Sequence, residues 1–120
     1  GNTGEMLLTL IERRLDNVLY RLGLAPTRAA ARQFITHGHI LVNEKKVNIP
    51  SFQTSEGMII CPEQKMLKIP VVIKLLEDKS PNIVAWLQRK GPVGKILRLP
   101  ARADITDDIN EQLIIEFYSR

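Results

Sequence analysis

The chain has 120 residues, 44% apolar and 25% charged, with a formal charge of +4 and a sequence pI near 9.5; this supplies the core of one small globular domain, and the basic balance alone fits an anionic partner or an ordinary enzyme. A single cysteine, Cys61, excludes an internal disulfide and a paired-cysteine metal site, and fits a reducing compartment and a role as strand filler. No apolar run approaches the roughly 18 residues that span a bilayer, and the start lacks the basic-then-apolar order of a signal peptide, so a soluble, unexported protein is predicted.

The chain begins at Gly1, not Met, directly ahead of a helical pattern, which predicts that an N-terminal segment is missing. Leu8, Ile11, Leu15, Leu19 and Leu22 keep helical spacing up to Gly23, giving one continuous first helix. Ala25-Pro26-Thr27 forms a turn with Thr27 as cap, and Ala30, Phe34 and His37 mark a second helix ending at Gly38. Ile40-Leu41-Val42 and Val47-Asn48-Ile49 are β-rich and joined by the four residues Asn43 to Lys46, and Met58 to Cys61 reads as a third strand. Ile69, Val72, Ile73 and Leu76 fit a helix with Pro70 in its first turn. Val84 to Gln88 and Lys95 to Leu99 read as strands joined through Lys90 to Gly94. Asp108 and Glu111 have capping-box spacing and open a last helix containing Leu113, Ile114 and Phe117. The predicted order is α-α-β-β-β-α-β-β-α.

Charge is unevenly placed along this order. From residue 13 to residue 46, Arg13, Arg14, Arg21, Arg28, Arg32, Lys45 and Lys46 face only Asp16 and Glu44, a local charge of +5 that leaves the rest of the chain at −1. Arg14 and Arg21, seven apart, share a helix face; Arg28 and Arg32, four apart, share another. Brought together with the lysines, they form a surface with almost no acids to neutralise it. Guanidinium groups suit such a surface because their planar fork binds phosphate and stacks on bases. Spacing alone allows an ordinary solvated helix face equally well.

The segments Arg14-Leu15-Asp16-Asn17-Val18-Leu19-Tyr20-Arg21-Leu22-Gly23, Thr27-Arg28, Ala31-Arg32-Gln33 and His37-Gly38-His39-Ile40-Leu41-Val42-Asn43 resemble the S-four RNA-binding domain, a module also found in some tRNA synthetases, pseudouridine synthases and heat-shock proteins. Gly1 to Glu5, Lys46 to Ser51 and Asn110 to Arg120 resemble the ribosomal branch, the bacterial small-subunit S-four family, nearly end to end. The resemblance implies an α+β fold, a helical hairpin packed on a small, mostly antiparallel sheet with terminal helices. It divides the chain into an N-terminal helical remnant (1–12), the S-four module (13–77) and a β-hairpin with C-terminal helix (78–120). It implies a cytoplasmic, non-enzymatic ribonucleoprotein component without cofactor or small-molecule substrate, which binds small-subunit ribosomal RNA and initiates ribosome assembly. Its expected partners are that RNA, the neighbouring ribosomal protein S-five through the C-terminal region and, in some members, its own messenger RNA. Family members also carry a further N-terminal helical segment, sometimes with a cysteine metal cluster.

On this reading Arg13, Arg14, Arg21, Arg28, Arg32, Lys45 and Lys46 dock phosphates, while Thr27, Gln33, His37, His39 and Asn43 add hydrogen bonds to phosphates or 2′-hydroxyls. His37 and His39 flank a glycine with no third ligand in view and make a poor metal pair. Asp16 is expected to pair with an arginine. Asp104, Asp107, Asp108 and Glu111 could hold magnesium in a nuclease-type site, but they fit helix capping better. Tyr20, Phe34 and Trp86 are expected in the core. The alternative is the RNA-targeting module of an RNA-modifying enzyme, or an RNA-binding translational regulator.

Overall fold

The structure, a computed structural model, describes residues 3–79 and 81–105. Over this range the order is α1 (Thr3–Glu12), α2 (Leu15–Arg21), α3 (Arg28–Thr36), β1 (Ile40–Val42), β2 (Lys45–Lys46), β3 (Ile59–Pro62), a 3₁₀ turn at Met66–Lys68, α4 (Pro70–Leu76), β4 (Leu87–Lys90), β5 (Val93–Ile96) and a second 3₁₀ turn at Arg102–Asp104. The helix expected to open at Asp108 lies outside the described residues, as do Asp107 and Glu111.

The expected first helix is two helices. Arg14 adopts extended backbone (φ −58°, ψ 142°) because a downstream segment takes its neighbours' hydrogen bonds. The N–H groups of Leu15 and Asp16 donate to Phe52 and Pro50 carbonyls at 2.9 and 3.1 Å, and Thr54 donates to the Arg13 carbonyl from its N–H (3.1 Å) and its hydroxyl (2.8 Å). Gln53 adds a side-chain bond to the Leu10 carbonyl at 2.8 Å. Apolar periodicity runs through the break unaltered, so the sequence pattern shows one helix where backbone hydrogen bonding makes two.

The α2–α3 pair matches expectation closely. The Thr27 hydroxyl accepts the Ala30 N–H at 3.0 Å, and Gly38, at φ +77°, follows the end of α3 in the left-handed conformation that glycine adopts without strain. The strands form one antiparallel sheet, ordered β2-β1-β3-β5-β4. β2 is Lys45–Lys46 rather than Val47 to Ile49, because Asn43 and Glu44 both take positive φ (49° and 69°) and close a two-residue turn of the type that matches strand twist. β4 and β5 are likewise shifted toward Gly91-Pro92: Lys90 pairs with Val93, which leaves two residues for the turn. β3 runs one residue later than expected, whereas α4 begins at Pro70 as expected.

Leu15, Val18, Leu19 and Leu22 of α2 and Ala31, Phe34 and Ile35 of α3 pack on Ile40, Val42, Ile60, Leu87 and Ile96 of the sheet, with Trp86 fully buried among them. Helix and sheet approach so closely at Gly94 that a β-carbon there would overlap a Leu22 methyl. Arg89 closes the end of α2, donating to the Leu22 and Gly23 carbonyls at 2.9 and 3.2 Å. After β5, Arg98 donates to both Asp104 oxygens (2.7 and 3.1 Å) and the Ala101 N–H donates to Oδ2 (2.7 Å). Asp104 thus belongs to an ion pair that folds the chain back.

Leu19 is fully buried; Leu19→Ala is expected to cost about 2–5 kcal/mol through the cavity it leaves, as read by denaturant unfolding. The hydrogen bond from Arg98, foremost, holds the Asp104 carboxyl below its ordinary value. A carboxylate shifted downward stabilises the fold above the ordinary aspartate range and loses that contribution as pH falls through its lowered value. The Ala101 amide signal should therefore move at a lower pH than the signal of an amide beside an unpaired aspartate.

Candidate nucleic-acid interface

Glu12 ends α1 with no exposed surface. A carboxylate there must be compensated, and the next helix supplies the partners. Asn17 Nδ2 donates to the Glu12 carbonyl (2.6 Å) and to Oε2 (2.8 Å), and Arg21 reaches the carboxylate through Nε (3.0 Å) and Nη2 (3.3 Å). The amide oxygen of Asn17 accepts Arg28 Nε at 2.8 Å, and the Arg28 guanidinium lies 4.6 Å from the centre of the Tyr20 ring.

Asp16 forms a second anionic centre at the start of α2. Arg14 grips it bidentately (both 3.1 Å), the Asn17 N–H donates to Oδ1 at 2.7 Å, and Arg32 Nη1 stands 3.7 Å from Oδ2. Arg13 Nε donates to the Thr54 carbonyl at 3.1 Å. The expected pairing of Asp16 with arginine is thus present. The expectation of a surface almost without acids needs correction: Glu12 lies one residue before the stretch whose charge was counted, and Asp16 is buried within it. Arg14 and Arg21 do not share a helix face either, since Arg14 sits in the break and each turns to a different carboxylate.

The predicted site residues therefore separate into two sets. Arg13, Arg14 and Arg21 are tied into the fold at the helix break. Arg32 and Lys46 keep 47% and 59% of their side-chain surface exposed, with looser contacts to Asp16 (3.7 Å) and Glu63 (3.8 Å), and Lys45 is exposed. Arg28 is half-buried beside them on α3. The β1–β2 turn brings the lysines to the end of α3: a β-carbon on Gly38 would lie 3.4 Å from Lys46 Cδ. His37 and His39 occupy the same corner with ring centres 6.2 Å apart, His39 also meets the Phe34 edge at 6.4 Å, and its buried Nδ1 has no hydrogen-bond partner. Gln33 is exposed on α3. Thr27 and Asn43 serve the fold, Thr27 as cap and Asn43 by accepting the Ile59 N–H at 2.9 Å on its side-chain oxygen. Tyr20 is half-buried rather than core, and it faces arginines. Glu12, Asn17 and Tyr20 as organisers of this surface escaped the sequence reading. The available signal was an acid placed directly before Arg13-Arg14 and a poor helix former, Asn17, between buried leucines.

Residues 13–60 match the family described as S4 domain. Along the whole chain it is 48% identical to small ribosomal subunit protein uS4 of Parabacteroides distasonis and 46% identical to that of Lactococcus lactis subsp. cremoris. Against uS4 of Persephonella marina it is 48% identical over 99% of its length. Residues 13–60 carry the S4 domain. The chain spans about three-fifths of these relatives, 61% of the first and 60% of the other two. The match opens at Arg13, so the S4 module takes in the helix break, both helices of the pair and the strands β1 and β2, whereas Glu12 enters from outside it.

Glu12→Gln leaves the largely buried Arg21 guanidinium without its counter-charge and should destabilise the fold by about 3–5 kcal/mol. Removing both charges together, Glu12→Gln with Arg21→Leu, should recover most of that loss in the same denaturant titration.

Proposed function

We propose that this chain is an RNA-binding component of the small ribosomal subunit, docking on ribosomal RNA through α3 and the β1–β2 turn and nucleating assembly there. The observation that carries the reading is the exposure of Arg32, Lys45 and Lys46 beside Arg28 on one corner of the S4 module, although two buried carboxylates lie on the neighbouring helices α1 and α2. Cations that stay exposed beside only loose carboxylate contacts, and that sit on rigid elements, suit phosphate oxygens. Arg13, Arg14 and Arg21 shape this surface from beneath; Gln33, His37 and His39 stand at its edge for hydrogen bonds to phosphate or 2′-hydroxyl groups. RNA duplexes hide their base edges in a deep, narrow groove, so a surface of this kind reads backbone geometry and helix shape.

The uS4 names of relatives aligned along the whole chain support the ribosomal setting over the RNA-targeting module of a modification enzyme. In that setting the protein acts in the cytoplasm without chemistry of its own. A contact between its C-terminal region and ribosomal protein S-five, and binding to its own messenger RNA, extend the same reading through the family resemblance.

About four phosphate contacts should make RNA affinity fall on the order of a hundredfold between about 50 and 200 mM salt. Arg32→Ala should weaken binding to small-subunit RNA and reduce the salt slope by about one while leaving the unfolding midpoint unchanged. Asp104→Ala should leave affinity unaltered. A flat salt dependence, or equal loss from Asp104→Ala, would show that the surface has been assigned to the wrong face.

A further inference from the structure

Asn17 is 2% exposed and links α2 to two other helices, α1 and α3. We propose that Asn17, locked by Glu12, is a positioning residue that holds the Arg28 guanidinium against the Tyr20 ring in the orientation in which it meets RNA phosphate. The inference rests on the RNA-binding reading above and names the device by which one of its cations is aimed.

A side-chain amide has a donor end and an acceptor end, and here its surroundings choose between them. Glu12 offers only acceptors, its carbonyl at 2.6 Å and its carboxylate at 2.8 Å, so Nδ2 must face α1. The oxygen is thereby turned toward α3, where it accepts Arg28 Nε at 2.8 Å. The ring of Tyr20, 4.6 Å from the guanidinium carbon, fixes the second direction. A long side chain that would otherwise sample many rotamers is held at one edge and one face, so less freedom remains to be lost when a phosphate binds. Lysine at position 28 would keep the charge but lack both the Nε–H and the planar face. Glu12 precedes the segment matched to the S4 domain, so α1 reaches the RNA surface through two hydrogen-bonded steps without itself carrying a cation to it.

A double-mutant cycle on the whole chain tests this, with transcribed small-subunit ribosomal RNA as the probe and fluorescence anisotropy as the readout. Arg28→Ala should weaken binding about tenfold, and Asn17→Ser by a similar or somewhat smaller factor. In the Arg28→Ala background Asn17→Ser should cost less than about twofold, because its target is already gone. Tyr20→Leu, at a half-buried position, should show the same dependence and serves where Asn17→Ser fails to fold. Arg28→Lys should not restore wild-type affinity. If Arg28→Ala leaves affinity unchanged, the RNA-binding assignment of α3 fails. If Arg28→Ala weakens binding but the Asn17 and Tyr20 effects are absent, or multiply in full with it, the positioning role is overturned and the RNA surface stands.

Discussion

A carboxylate with no access to water governs the arrangement of this protein's basic half. Glu12 cannot be left uncompensated, and the groups that compensate it, Asn17 and Arg21, both belong to α2. From there the constraint passes to α3 through Arg28. Three helices are thus tied by charge and hydrogen bonds, while α2 and α3 also pack into the leucine-rich core. The energetic character of the tie matters. Burial makes such an ion pair costly to break on one side and only modestly favourable as a whole, so its value lies more in fixing geometry than in adding stability.

That geometry explains why the most basic third of the chain does not behave as a uniform patch. Of the seven cations between residues 13 and 46, three are committed to carboxylates or a carbonyl at the helix break, and the surface is left to Arg28, Arg32, Lys45 and Lys46. Net charge would suggest a larger electrostatic footprint than the structure presents. What remains is smaller but better defined, because α3 is capped at both ends and the β1–β2 turn is closed by two residues in positive φ.

Much of this was legible in the sequence. Thr27 and Gly38 delimit α3 by local chemistry, Pro70 opens α4, and Asp16 has the arginine partners its neighbourhood implied. The S4 module was recognisable from its motifs. The errors arise where hydrogen bonding, not side-chain pattern, sets the backbone or the burial. Leu8 to Leu22 reads as one helix because periodicity is local, whereas the interruption at Arg14 is imposed by residues 50–54. β2 was misplaced because Val47 to Ile49 has strand-like composition, yet the turn at Asn43-Glu44 decides where pairing begins, and Ile49 is left 57% exposed. Glu12 escaped notice because acidic residues are usually solvated, and its place before Arg13-Arg14 is an equally ordinary surface pattern.

The clamp at the helix break has a consequence for how the protein is assembled. The segment that holds Arg13 and Arg14 in place lies about forty residues downstream, with Thr54 meeting Arg13 across 41 positions. The α2–α3 pair rests on short-range contacts and can form early, whereas the break must wait for that distant segment to be made and docked. The orientation of the first arginines is therefore set by a segment distant in sequence, whereas the helix pair that carries Arg28 and Arg32 is set locally.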